Sequence, residues 1–194
     1  MRMWLLLIVV VLLLAPVRAT TVIAPTFEQL VGEADIVFEA EVTDMRSRLT
    51  VEGGKETIVT DVSFLNRRTL KGTPAPEVRL EFLGGVVGDR GFKVDGVPTF
   101  AKGDRDVIFA IMSKALVSPL VGMMYGRLRI ALEGALNHET VRLFDGTPLR
   151  SVAALGSKDG QPRFSLQPAM SLAAFEETVI REVARQDALR RPRQ

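Results

Sequence analysis

Several stretches of this chain alternate apolar and polar residues with a period of two, the mark of a strand that buries one face. Ile36, Phe38, Ala40 and Val42 fall on one side, and Asp35, Glu39 and Glu41 on the other. Ile58, Thr60, Val62 and Phe64 alternate with Val59, Asp61, Ser63 and Leu65. Val78, Leu80 and Phe82 alternate with Glu77, Arg79 and Glu81. Further on, Leu128, Ile130 and Leu132 point inward with Arg127 and Arg129 outward, and "ETVRLFD" reads as one more short strand closed by Asp145-Gly146. Residues 107–112 are apolar almost throughout, as in a central strand covered on both faces. The expected fold class is mainly β, a small antiparallel β-barrel or curved sheet.

Two helices complete it. Thr26 is placed to cap a short N-terminal helix from Phe27 to about Ala34, with Glu28 and Gln29 in its first turn. Ser171 is placed to cap a C-terminal amphipathic helix of about 17 residues, whose stripe is Leu172, Phe175, Val179, Ile180 and Val183. Between strands, "VEGGKE" is a glycine turn, "SKDGQPR" a surface loop, and Met123, Met124 and Tyr125 either an adhesive surface or a cover for one end of the core.

The stretch "LGGVVGDRGFKVDGVPTF", residues 83–100, raises the question of a phosphate loop. Its glycines have neither the G-x-G-x-x-G spacing before a helix nor the lysine and hydroxyl of a P-loop. Asp95-Gly96 between Phe92 or Val94 and residues 97–100 is a strong hairpin signal, with Pro98 tolerated on an edge. The glycines are read as turns.

The first nineteen residues have the layout of a secretory signal peptide. A charged start at Arg2 precedes an apolar run from Trp4 to Leu14, and Val17 and Ala19 stand at the minus-three and minus-one positions. A spanning helix needs about 20 apolar residues, and Pro16 and Arg18 interrupt the run too early. The domain expected is then 20–188, with a basic tail at 189–194, and the location periplasmic or secreted. Without Arg2 and Arg18, the formal charge of +2 falls to zero. Basic charge gathers in the final "RQDALRRPRQ" rather than on the body, which argues against a nucleic-acid partner. The chain has no cysteine, so disulfides, a lipid-anchoring cysteine, a thiol nucleophile and thiolate metal sites all fall away.

Catalytic motifs fail one by one. His138 in "NHETVR" has Arg142, not a second histidine, four residues on, and one imidazole cannot form the usual zinc site. Gly156-Ser157-Lys158-Asp159-Gly160 lacks the glycine at 155 that a nucleophile elbow requires, since Leu155 stands there. Carboxylates remain: Glu39 with Glu41, spaced by two on one strand face, and Glu77 with Glu81 on another. No catalytic residue, metal or cofactor is assigned.

The runs "ADIVFEAEVTD", "TIVTDVSFLNRRTLKG", "VRLEFLGG", "GFKVDGVPTFAKGDRDVIFAI" and "YGRLRI" resemble a widespread group of exported bacterial proteins. That group repeats an A-D-I/V-V strand, a T-x-V-x-F strand ending in L-K-G, a G-G turn, G-x-P-x-F and a following V-x-F strand. More distantly, the order is similar to the OB-type barrel of netrin-like modules and tissue inhibitors of metalloproteinases. Those use an N-terminal cysteine as the inhibitory ligand, and here the chain after the leader reads Thr20-Thr21-Val22. The resemblance therefore implies a scaffold, with an OB-like barrel as one form of it, and no inhibitory residue. The expectation is a non-catalytic binding module for an envelope or secreted protein or polymer, acting through loop residues 84–104, where Val86, Val87, Phe92 and Phe100 are the candidate binding residues. The alternatives are a carboxylate-dependent hydrolase using Glu39 or Glu41, and an accessory factor for envelope assembly.

Overall fold

A computed structural model of the chain describes residues 23–113, 117–157 and 167–190. The expected leader and most of the "SKDGQPR" loop lie outside them. The fold is mainly β, as the alternation requires. A six-stranded antiparallel sheet is built from β1 (Ile36–Glu52), β2 (Lys55–Lys71), β3 (Glu77–Leu83), β6 (Arg105–Ala110), β7 (Arg127–Glu133) and β8 (His138–Arg142), in the order β3-β2-β1-β6-β7-β8. A separate hairpin pairs β4 (Gly85–Val87) with β5 (Arg90–Phe92). The large sheet is curved but not closed, so of the two expected forms it is the curved sheet.

The short helix α1 (Phe27–Glu33) begins with a capping box. Thr26 accepts from the Gln29 backbone while the Gln29 side chain returns to the Thr26 N–H, satisfying two otherwise orphaned donors. At the other end of the chain, α2 (Leu172–Arg190) starts where Ser171 Oγ accepts from Ala174 N at 3.2 Å. It runs through Leu189 and Arg190, which therefore belong to the helix rather than to a tail.

Strands β1 and β2 are each 17 residues long, more than twice the alternating runs that announce them. Gly53 and Gly54 join them with φ of +56° and +78°, the paired left-handed conformation of a tight hairpin turn. Register slips between Val42 and Asp44, and twice nearer the strand start, so the strand bends as it leaves the core.

Strand alternation delivers two apolar cores, one to each face. On the helical side Val37, Val107, Phe109 and Leu128 meet Phe27, Leu30, Phe175 and Val179. On the concave side Phe38, Val62, Phe64, Leu80, Phe82 and Ile108 pack together. Among the described residues no α-helix contributes to the second core. It is covered partly by Leu120 and by the extended strap at residues 93–104, whose Val97 and Phe100 press onto it.

That strap corrects one expectation. The paired hairpin of residues 83–100 turns at Gly88 and Asp89, between β4 and β5, while Asp95-Gly96 makes only a local turn in which Val97 N–H reaches Val94 O at 3.3 Å. Residues 97–100 form no strand, because Val97 and Phe100 are drawn down onto the concave core and Pro98 has no N–H to contribute to a ladder. Arg127 is a second correction: instead of pointing outward, it is 5% exposed, and Leu132, expected inward, is 61% exposed. Ile180 is a third, at 41% exposure, with Glu176 buried on α2 instead. Met123, Met124 and Tyr125 are half-buried in a single turn, and Tyr125 meets Phe144 edge-on at 5.3 Å.

Candidate functional site: an apolar cleft on the concave face

Where β1 and β2 run past the concave core, their inner face continues under the β4–β5 hairpin and the strap. The space between them is a cleft of about 540 Å³. Met45, Val62, Phe82, Val86, Phe92 and Phe100 supply much of its wall. Sequence reasoning named three of these six. Val87, the fourth candidate, is partly buried and is not part of the lining.

The hairpin is hooked to the sheet by a chain of hydrogen bonds. Thr60 Oγ1 donates to Gly84 O at 2.7 Å, which commits its one proton. Ser47 Oγ, 2.9 Å from Thr60 Oγ1, is therefore the donor of that pair, and it accepts from Val86 N–H at 3.4 Å. Gly84 N–H donates to Ile58 O at 2.8 Å. Close approach is what makes Gly84-Gly85 glycine: a Cβ on Gly85, at φ of +138°, would stand 2.3 Å from Thr60 Oγ1 and 2.5 Å from Ser47 Oγ. These two residues let one layer of backbone lie on another, a role distinct from the turns expected of them.

Phe100 forms the floor. Its ring meets Phe64 at 5.3 Å and Phe82 at 5.0 Å, and the Arg127 guanidinium carbon lies 4.3 Å from its centroid. Arg127 Nε donates to Asp106 Oδ1 at 2.9 Å and Nη2 to Asp104 Oδ2 at 2.7 Å, and Nη1 donates to Thr99 O. One buried arginine thus ties β6, β7 and the strap together. At the rim the apolar surface is left open: Val86 is 67% and Phe92 43% exposed.

A second, polar cleft of about 860 Å³ lies on the helical face, where α2 begins. Its carboxylates are already engaged. Arg105 bridges Glu39 and Glu139, and Arg68 Nη1 contacts Glu176 Oε2 at 2.5 Å. Glu41 is held by Arg67, so Glu39 and Glu41 turn to different arginines and form no acid–base pair. Burial pushes the Glu176 carboxyl up, with Arg68 pulling it back. Glu77 and Glu81 are exposed on β3, where Glu81 meets Arg48. His138 stands exposed at the start of β8. Among the described residues no cluster of three or more His, Cys, Asp or Glu side chains is arranged to hold a metal ion, and no helix is long and apolar enough to cross a membrane.

Comparison of the chain with protein-family models, with curated proteins and with solved structures found no match.

Proposed function

We propose that this chain is an exported, non-catalytic binding module that receives an apolar part of its ligand in the concave cleft. The observation that carries the reading is the cleft itself: about 540 Å³ of concave, largely apolar space with Val86 and Phe92 left uncovered at its rim. Ligand sites are commonly concave, mostly apolar and of this size. Exposed large apolar side chains clustered at one place call for a partner in a way that scattered ones do not. The same geometry speaks against a carboxylate hydrolase centred on Glu39 and Glu41, whose acids are each occupied by an arginine.

Nile red, a neutral dye that brightens in apolar surroundings, tests the reading. The full chain is expected to bind one equivalent, with affinity falling about tenfold or more in Phe92→Ala and Val86→Asp and unchanged in Val87→Asp. Equal binding by all the folded variants would place the apolar site elsewhere.

A further inference from the structure

Of the three hydroxyls that line the cleft, the two on the sheet, Ser47 and Thr60, are spent, and the third, Thr99, is exposed on the strap. Ser47 and Thr60 close on each other, on the Val86 N–H and on the Gly84 carbonyl, leaving neither hydroxyl a proton to donate. A peptide or a glycan buried there would bring its own amide or hydroxyl groups into a wall with few free partners, at a cost of about 1–3 kcal/mol for each one left unsatisfied. A hydrocarbon chain brings none.

The charge around the cleft is equally uneven. Lys93 is the one charged residue of the lining, exposed, and it enters no ion pair or hydrogen bond among the described residues. Its neighbour on the hairpin, Arg90, is by contrast neutralised by Glu56 at 2.7 Å. Asp89 and Asp95 are exposed close by in sequence, but neither is part of the wall.

We infer that the cleft takes a single hydrocarbon chain ending in an anionic head, with the chain against Met45, Val62, Phe82 and Phe100 and the head at Lys93. This rests on the binding-module reading and adds the chemical class of its ligand. The head can be a fatty-acid carboxylate or the phosphate of a single-chain lipid.

Displacement of Nile red from the full chain, below micelle-forming concentrations, tests it with four ten-carbon probes: decanoate, decyl phosphate, decanol and decyltrimethylammonium. Decanoate or decyl phosphate, or both, is expected to bind about fivefold more tightly than decanol and about tenfold more tightly than the cation, the scale of one exposed ion pair gained or opposed. Whichever anion is preferred identifies the source of the head. Lys93→Gln, a surface change that leaves the fold intact, should bring all four together, and Phe92→Ala should weaken all four. Raising the salt concentration should narrow the preference in the unsubstituted protein. If decanol and the cation displace the dye as well as the anions do, or if Lys93→Gln leaves the preference in place, the anionic-head inference falls and the apolar cleft stands. Failure of all four to displace a dye whose binding Phe92→Ala still weakens would overturn the hydrocarbon-chain inference and leave the apolar cleft standing, whereas dye binding that is equal in all the folded variants would overturn both.

Discussion

Glu176 is a carboxyl on the inner face of a helix, where packing would suit a methylene better. Its side chain is 4% exposed, Oε2 meets Arg68 and Oε1 has no hydrogen-bond partner among the described residues. Desolvation raises its pKa above the ordinary carboxylate value, and the nearby Glu39 and Glu139 add to that against the opposing pull of Arg68. An acid that holds its proton more tightly when folded favours folding fully below its unfolded pKa. That contribution disappears as pH rises through the higher folded pKa. Glu176→Gln should therefore stabilise the protein by about 1 kcal/mol at pH 7, with the gain shrinking towards zero below about pH 4. Urea denaturation at the two pH values checks this; a loss at neutral pH would mean that the ion pair with Arg68 outweighs desolvation. This residue was not legible in the sequence, because an apolar stripe counts only apolar side chains. By that count Ile180 belonged to the buried face, yet it is 41% exposed.

Strand β7 shows the same limit one scale up. Alternation correctly gave its period, but it assigned Arg127 and Arg129 to solvent because nothing local reveals that a strap from residues 93–104 crosses that end of the concave face. Once the strap is in place, Arg127 is the bolt between it and two strands, and Asp106, fully buried, depends on it. Burial pushes the Asp106 carboxyl up and Arg127 opposes the shift, while Asp106 Oδ2 has no hydrogen-bond partner among the described residues. Arg127→Met should accordingly cost about 3–5 kcal/mol, since it strands a buried acid, and the double variant with Asp106→Leu should recover most of that loss. Denaturant midpoints of the three proteins measure it. If the double variant is as unstable as the single, the strap's own bond at Thr99 O matters more than the acid. The cleft divides in a similar way. Val86, Phe92 and Phe100 were legible as apolar residues inside a glycine-rich loop, whereas the Ser47–Thr60 hook that holds the loop down joins two hydroxyls 13 residues apart on strands whose full length the alternation did not reveal.

At the scale of the molecule, the sheet has a rigid middle and a light margin. β1 and β6 contribute to both cores, with Val37, Val107 and Phe109 on the helical side and Phe38 and Ile108 on the concave side. The β4–β5 hairpin, by contrast, pairs over only three residues. Amide hydrogen exchange should be slowest at residues 36–41 and 107–110, approaching the global unfolding free energy, and fast at residues 85–92. Uniform protection would show that the hairpin opens only with the whole fold. The strand pattern, the Gly53-Gly54 turn and both helix caps could be read from sequence because each depends on neighbours along the chain. Strand lengths, the strap and the open rather than closed sheet depend on contacts across it. An unclosed sheet has two edges, and each is protected from joining a neighbour's. Along β8, bridges from Thr140 to Ser171 and from Arg142 to Pro148 occupy the outer ladder positions. Along β3, exposed Glu77, Arg79 and Glu81 alternate with the core residues, so a second molecule adding there in register would have to align and dehydrate three charges. A protein that leaves its sheet open to form a cleft thus guards itself against aggregating into fibres, and the charges that appeared at first only as the wet half of an alternation are part of that guard.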